Sequence, residues 1–158
     1  MIRLVCVGKL RERHWAEAAA EYLKRLERLM PVSVAEVRDE PEPARPSPAL
    51  NEAVLRAEGE RILSRITPGE HVVALCIDGQ PLSSEQLADK LRRLLLSGQS
   101  RVTFVIGGSL GLGAEVLERA NERVSMSAMT FPHQLARVML LEQIYRAAKL
   151  NAGERYHK

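Results

Sequence analysis

The stretches VTFVIGGSLGLG at residues 102–113 and MSAMTFPHQLARVMLLEQIY at 126–145 decide how this chain is read. The first is an apolar, β-branched run that stops at Gly107-Gly108, as a buried strand ending in a tight loop does. The second opens with small, apolar and hydroxylated residues, passes Pro132 and His133, and runs on into a very apolar helix. Loops of low bulk that leave strand ends are where an open α/β sheet holds ligands. The pattern predicts a ligand site built from backbone rather than from charged side chains.

The same alternation extends outward from these stretches. Residues 2–7 and 32–37 are β-branched and read as strands. Between them, Trp15, Ala18, Ala19, Tyr22, Leu26 and Leu29 recur at helical spacing, predicting a helix over 12–29 stopped by Pro31. Residues 38–48, RDEPEPARPSP, form a charged, proline-rich loop. A helix over 50–66 turns Leu55, Gly59, Ile62, Leu63 and Ile66 inward. Residues 71–77 form a continuous apolar run, as a central strand does, with Asp78-Gly79 as its turn. Ser83-Ser84-Glu85-Gln86 offers a capping box for the next helix, which Gly98 ends. A short helix over 114–122, a strand over 124–127 and a helix over 133–150 complete the chain. Strands alternating with helices predict an α/β fold, a mostly parallel sheet with helices on both faces. At 158 residues one domain accounts for the whole chain.

Helix 133–150 carries Leu135, Val138, Met139, Leu140, Leu141, Ile144, Tyr145, Ala147 and Ala148 around most of its circumference. A helix apolar nearly all round must be covered on most sides. A second subunit is the expected cover, with deep burial inside one protomer as the alternative.

No apolar run reaches the roughly 20 residues of a membrane span, and the opening MIRLVCVGKL lacks the features of a signal peptide. The expected location is cytoplasmic. Cys6 and Cys76 are too sparse for a disulfide framework, and His14, His71, His133 and His157 lack ligand spacing, so no metal site is expected. The net charge of +3 permits a nucleic acid partner without establishing one. Most charges, such as Glu17, Glu21, Lys24, Arg25 and Arg28, alternate in sign along a helix face, which is the pattern of a solvated surface.

Gly107-Gly108-Ser109-Leu110-Gly111-Leu112-Gly113 is not a P-loop, since no Gly-Lys-Ser/Thr follows, and its spacing does not match G-x-G-x-x-G. Two readings stand: close backbone approach to a ligand, or a tight turn needing positive φ. Residues 126–131 have the composition to enclose an adenine ring, or to form a buried connection. The tail places Arg155, Tyr156, His157 and Lys158 consecutively, a set suited to phosphate and base contact or simply a frayed terminus.

Taken together, VCVGKLRERHWAEAAAEYLKRL, LCIDGQPLSSEQLA, VTFVIGGSLGL, MSAMTFPHQLARVMLLEQIYRA and the terminal GERYHK resemble the ribosomal RNA large subunit methyltransferase H family of the SPOUT (α/β-knot) class, over essentially the whole length. The resemblance implies a C-terminal trefoil knot, which periodicity alone does not signal. It implies a homodimer, S-adenosylmethionine as methyl donor, no metal, and N3 of a pseudouridine in the decoding-region stem-loop of 23S ribosomal RNA as target, on the assembled 70S ribosome. By position, the family's cofactor contacts correspond to Leu75, Gly107, Met126, Ser127, Ala128, Met129, Thr130 and Phe131. The tail residues Tyr156 and His157 correspond to those that complete the facing subunit's site. His133, Arg137, Arg155, Tyr156 and His157 are the candidates for catalysis, with Arg137 and the tail expected to position RNA.

Overall fold

A computed structural model describes residues 1–99, 101–154 and 156. Five strands, β1 (Ile2–Val7), β2 (Val32–Val37), β3 (His71–Pro81), β4 (Val102–Ile106) and β5 (Glu122–Ser125), form one parallel sheet in the order β2-β1-β4-β3-β5. The helices are α1 (Arg13–Leu26), α2 (Pro48–Leu63), α3 (Ser84–Leu96), α4 (Ala114–Arg119) and α5 (His133–Asn151).

The connections β1→β2 and β3→β4 step one way across the sheet, while β2→β3 and β4→β5 step the other way. Crossovers of a single hand then put α1 and α3 on one face and α2 and α4 on the other. The core divides accordingly. Leu4, Cys6, Val73 and Phe104 pack with Ala19, Leu26, Leu87 and Leu91 on one face, joined by Leu141, Ile144 and Ala147 of α5. Val5, Val7, Val72 and Val105 pack with Ile62 and Val116 on the other. Because α3 and α4 lie on opposite faces, the loops leaving β3 and β4 part, opening a crevice at the carboxyl end of the sheet.

Several boundaries differ from the sequence expectation for physical reasons. α1 closes at Leu26, and Leu29 and Met30 donate back to the Leu26 carbonyl before Pro31 is reached. α2 starts earlier, at Pro48, because the Ser47 side chain accepts from Leu50 N at 3.2 Å and proline suits the first helical position. It buries Val54, Glu58, Gly59 and Ile62, leaving Leu55, Leu63 and Ile66 half-buried. Asp78-Gly79 does not end β3. The chain loops out after Leu75 and returns, so that Leu75 and Gln80 both pair with Val124. A Cβ on Gly79 would meet the Val124 carbonyl carbon at 2.5 Å, so the return requires glycine.

The expected cover for the apolar last helix comes largely from the same protomer. Residues Val138, Leu140, Leu141, Ile144, Ala147 and Ala148 are buried, and α5 packs against both α1 and α3. Leu135, Met139 and Tyr145 remain half-buried. No described helix is long and apolar enough to cross a membrane.

Candidate functional site

The crevice is a cavity of about 780 Å³ at the carboxyl ends of β3, β4 and β5. The outward loop of β3 supplies Cys76, Ile77 and Asp78 to its wall. The glycine segment 107–112 follows β4, and residues 125–133 follow β5. Of the expected cofactor contacts, Leu75, Gly107, Met126, Ser127, Met129, Thr130 and Phe131 line this one cavity. Ala128 belongs to the same loop but is exposed and does not line the wall. The loop is shaped by its own hydroxyls: Ser125 Oγ donates to the Ser127 carbonyl at 2.9 Å, and Met129 N donates to Ser127 Oγ at 3.0 Å. Such side-chain turns free the loop from sheet pairing.

The glycine segment turns on itself. Gly111 N donates to the Gly108 carbonyl at 3.1 Å, and Gly111 sits at φ 84°, where side chains other than glycine are strained. A Cβ on Gly107 would fall inside the Gly111 carbonyl group. The loop's own geometry therefore requires glycine at both positions, whatever else touches it.

Among the described residues, no lysine or arginine lines the cavity; the ionisable wall residues are Asp78, His133 and the Cys76 thiol. Burial pushes the His133 imidazole below its ordinary range, and the Arg137 guanidinium pushes it further, against a weaker pull upward from Asp39. Both effects favour the neutral imidazole. Burial raises the Cys76 thiol, and Asp78 adds to the rise. Among the described residues the wall carries no lysine or arginine and one carboxylate, so its field favours a cationic ligand.

Arg137 was expected to face RNA. It is instead 1 % exposed. Its guanidinium donates to Glu36 Oε1 at 2.6 Å and to the Gly8 carbonyl at 2.7 Å. It therefore ties α5 to the ends of β1 and β2, directly behind His133, and presents no donor at the surface. The Cys6 thiol beside it is pushed up to about 11 by burial, with Arg137 opposing.

Tyr156 lies in a neighbouring groove of about 580 Å³, which shares Leu75, Ser125 and Met126 with the cavity. The Tyr156 ring packs edge-on to Tyr145 at 5.5 Å, with the Arg146 guanidinium 4.3 Å above it. The structure thus brings His133 and the three loops together and keeps Tyr156 one wall away. His157 and Arg155 lie outside the described residues.

Two residues near the cavity escaped the sequence expectation. Asp78 reads as a turn residue and becomes part of the wall. Glu58 is 4 % exposed beneath the glycine segment. Its signal was available: it stands four residues after Val54 and four before Ile62, a carboxylate inside a buried helical stripe. Among the described residues, no group of three His, Cys, Asp or Glu side chains is placed to hold a metal ion.

Residues 1–157 match the family described as "Predicted SPOUT methyltransferase". Proteins named ribosomal RNA large subunit methyltransferase H are similar over nearly the full length. Those of Carboxydothermus hydrogenoformans and Bifidobacterium animalis subsp. lactis are 54% and 55% identical over 157 residues, covering 99% of both chains in each case. That of Bacillus pumilus is 48% identical over the same span. Among solved structures, a probable methyltransferase from Bordetella pertussis superimposes with a TM-score of 0.56 at 16% identity, covering 93% of this chain and 95% of that one. A probable methylase family protein from Haemophilus influenzae gives 0.55 at 13%, covering 99% and 70%. These two likenesses concern the fold alone.

Proposed function

The chain belongs to the SPOUT methyltransferase family, and from that premise we propose that it methylates 23S ribosomal RNA at N3 of a pseudouridine in the decoding-region stem-loop. S-adenosylmethionine is the proposed donor, and the assembled 70S ribosome the substrate. The observation that carries the reading is the cavity where β3, β4 and β5 end. Its wall, among the described residues, is backbone, small and apolar side chains and one carboxylate, with no lysine or arginine. That donor set fits an adenosyl group bearing a sulfonium. When bound, the cofactor supplies a methyl group already activated by the positive charge on sulfur.

What remains for the protein is positioning and proton traffic. The segments 107–112 and 126–131 hold the cofactor by backbone contact. A neutral imide nitrogen is a poor nucleophile, so the N3 proton must leave. His133, kept neutral by burial and by Arg137, is the wall residue suited to accept it. Arg137 acts as a positioning residue for His133 rather than as an RNA contact.

The remaining expectations join this proposal. The protein works as a homodimer in the cytoplasm, with a C-terminal trefoil knot. Tyr156, followed by His157, reaches the RNA at the facing subunit's site. The position of the half-buried Tyr156 in the groove beside the cavity supports that role.

The test is methyl transfer from labelled donor to 70S ribosomes, separated subunits and free RNA, with the product mapped. Label at pseudouridine N3 in 70S particles is the expected result. Label confined to transfer RNA would replace the substrate. A protein that gives no calorimetric heat with S-adenosylmethionine would be a non-catalytic RNA binder.

A further inference from the structure

Among the described residues, Glu58 is the one buried carboxyl next to the cavity that is only half satisfied. Its Oε1 accepts the Glu40 backbone N–H at 3.0 Å. Its Oε2 is buried and has no hydrogen-bond partner among the described residues. A Cβ built on Gly108 would lie 3.0 Å from that Oε2 and 3.2 Å from Oε1. The carboxyl group therefore rests directly on the Gly108 backbone, and Gly108 itself forms part of the cavity wall. One residue's thickness of main chain separates an unspent carboxylate oxygen from the ligand space.

The surroundings do not neutralise it. Burial pushes the Glu58 carboxyl above its ordinary range; the Glu40 N–H opposes this, Asp39 adds to it, and Arg61 opposes it. Arg61 is already committed, donating to Glu40 Oε2 at 2.5 Å and to the Arg38 carbonyl at 2.9 Å. Arg11 pairs with Asp39 at 3.5 Å. On the α4 side, Glu115 stands near Gly59 and faces Arg56 at 3.9 Å. Across the cavity are Asp78 and the neutral His133.

An unscreened charge behind a thin wall acts on a ligand's net charge, not its shape. The proposed donor carries a sulfonium that its demethylated product, S-adenosylhomocysteine, lacks. We propose that Glu58 is a specificity-determining residue that favours the positively charged methyl donor over its neutral product, and so speeds exchange after each turnover. The inference rests on the reading that this cavity holds S-adenosylmethionine.

The experiment is calorimetric titration of the full-length protein and its Glu58→Gln variant with S-adenosylmethionine and with S-adenosylhomocysteine. At about pH 8 the variant should bind the donor about five- to tenfold more weakly, while its affinity for the product changes by less than about twofold. In the wild-type protein the preference for the donor should fall by a similar factor as pH is lowered and Glu58 takes up a proton. The variant's preference should stay constant over that range. Equal weakening of both ligands at pH 8 would mean a merely structural role and would overturn the proposal. So would a preference that falls with pH equally in both proteins, since that effect would belong to another group of the wall. If the variant fails to fold, the wild-type series decides alone: a donor-to-product ratio that stays flat down to the lowest pH at which the protein remains folded overturns the assignment. If neither ligand binds the wild-type protein at any pH, the reading of the cavity fails instead, and the two failures are distinct.

Discussion

Two buried glutamates stand at opposite ends of the same parallel sheet, and they are treated in opposite ways. Glu70, 5 % exposed at the amino end of β3, accepts from Thr67 Oγ1 and Thr103 Oγ1, both at 2.6 Å, and from Arg101 at 2.7 Å. Burial alone would raise its carboxyl, but these hydrogen bonds outweigh burial and bring it down to about 2. Glu58, near the carboxyl end, keeps one oxygen unpaired and is raised instead. At the amino end the carboxylate is spent on holding the fold, and Arg119 adds a bond to the Glu70 carbonyl at 3.1 Å. At the carboxyl end bonding capacity is left over, beside a cavity. A parallel sheet places all its ligand-facing loops at one end, so the other end is free to be fully satisfied.

The contrast breaks most readily at Glu70. Replacing it with Ala leaves the Thr103 hydroxyl and the Arg101 guanidinium without their acceptor, and should lower unfolding stability by about 3–5 kcal/mol in denaturant titration. A loss below about 1 kcal/mol would remove the distinction between the two ends. The pH dependence carries the same sign. With its folded pKa depressed from 4.5 to about 2, Glu70 contributes stability that is fully present above pH 4.5 and is lost as pH falls toward 2. That contribution is about 3 kcal/mol, read as the acid limb of a stability profile that Glu70→Ala flattens.

The carboxyl end offers smaller, more local effects. Gly107→Ala forces its Cβ into the Gly111 carbonyl group, which should cost about 1–3 kcal/mol of stability and at least about tenfold in S-adenosylmethionine affinity. Gly111→Ala meets no atom within 4 Å and suffers only from its left-handed φ, so about 1 kcal/mol is expected by thermal melting. Equal losses at the two glycines would mean that crowding against the loop backbone is not what matters. Glu58→Gln should change stability least, by less than about 1 kcal/mol at neutral pH. Its sign sharpens the comparison. A raised folded pKa means that stability is lost as pH rises above the unfolded carboxylate value, the reverse of Glu70. The variant should therefore gain on the wild type as pH increases from about 4 to about 8.

How much of this was legible in the residues varies with how local the cause is. The bounds of β1 and β4 follow directly from β-branched apolar runs, because a strand buried on both faces needs them, and the half-exposed edge strand β2 also keeps its expected bounds. The Ser83–Gln86 capping box forms as the residues require. The three loops expected to build a site do converge on one cavity. Asp78-Gly79 misleads because its turn chemistry is real but the chain after it is recaptured by Val124, a partner more than 40 residues further along. Arg137 misleads because an arginine on a helix near a site reads as a ligand for phosphate; its acceptors, Glu36 and the Gly8 carbonyl, come from strands about a hundred residues earlier.

The residues by themselves determined the alternating strands and helices, the parallel α/β class and the glycine-rich and hydroxyl-rich strand ends, because these rest on periodicity and on backbone preferences within a few neighbours. The long motifs also carried the family. Only the tertiary structure decided the charge of the site. Whether a carboxylate is spent or unspent, whether an arginine faces water or a carbonyl, and whether a histidine is held neutral all depend on which distant elements pack around it. Burial and hydrogen-bond partners set a group's protonation, and neither exists until the chain has folded.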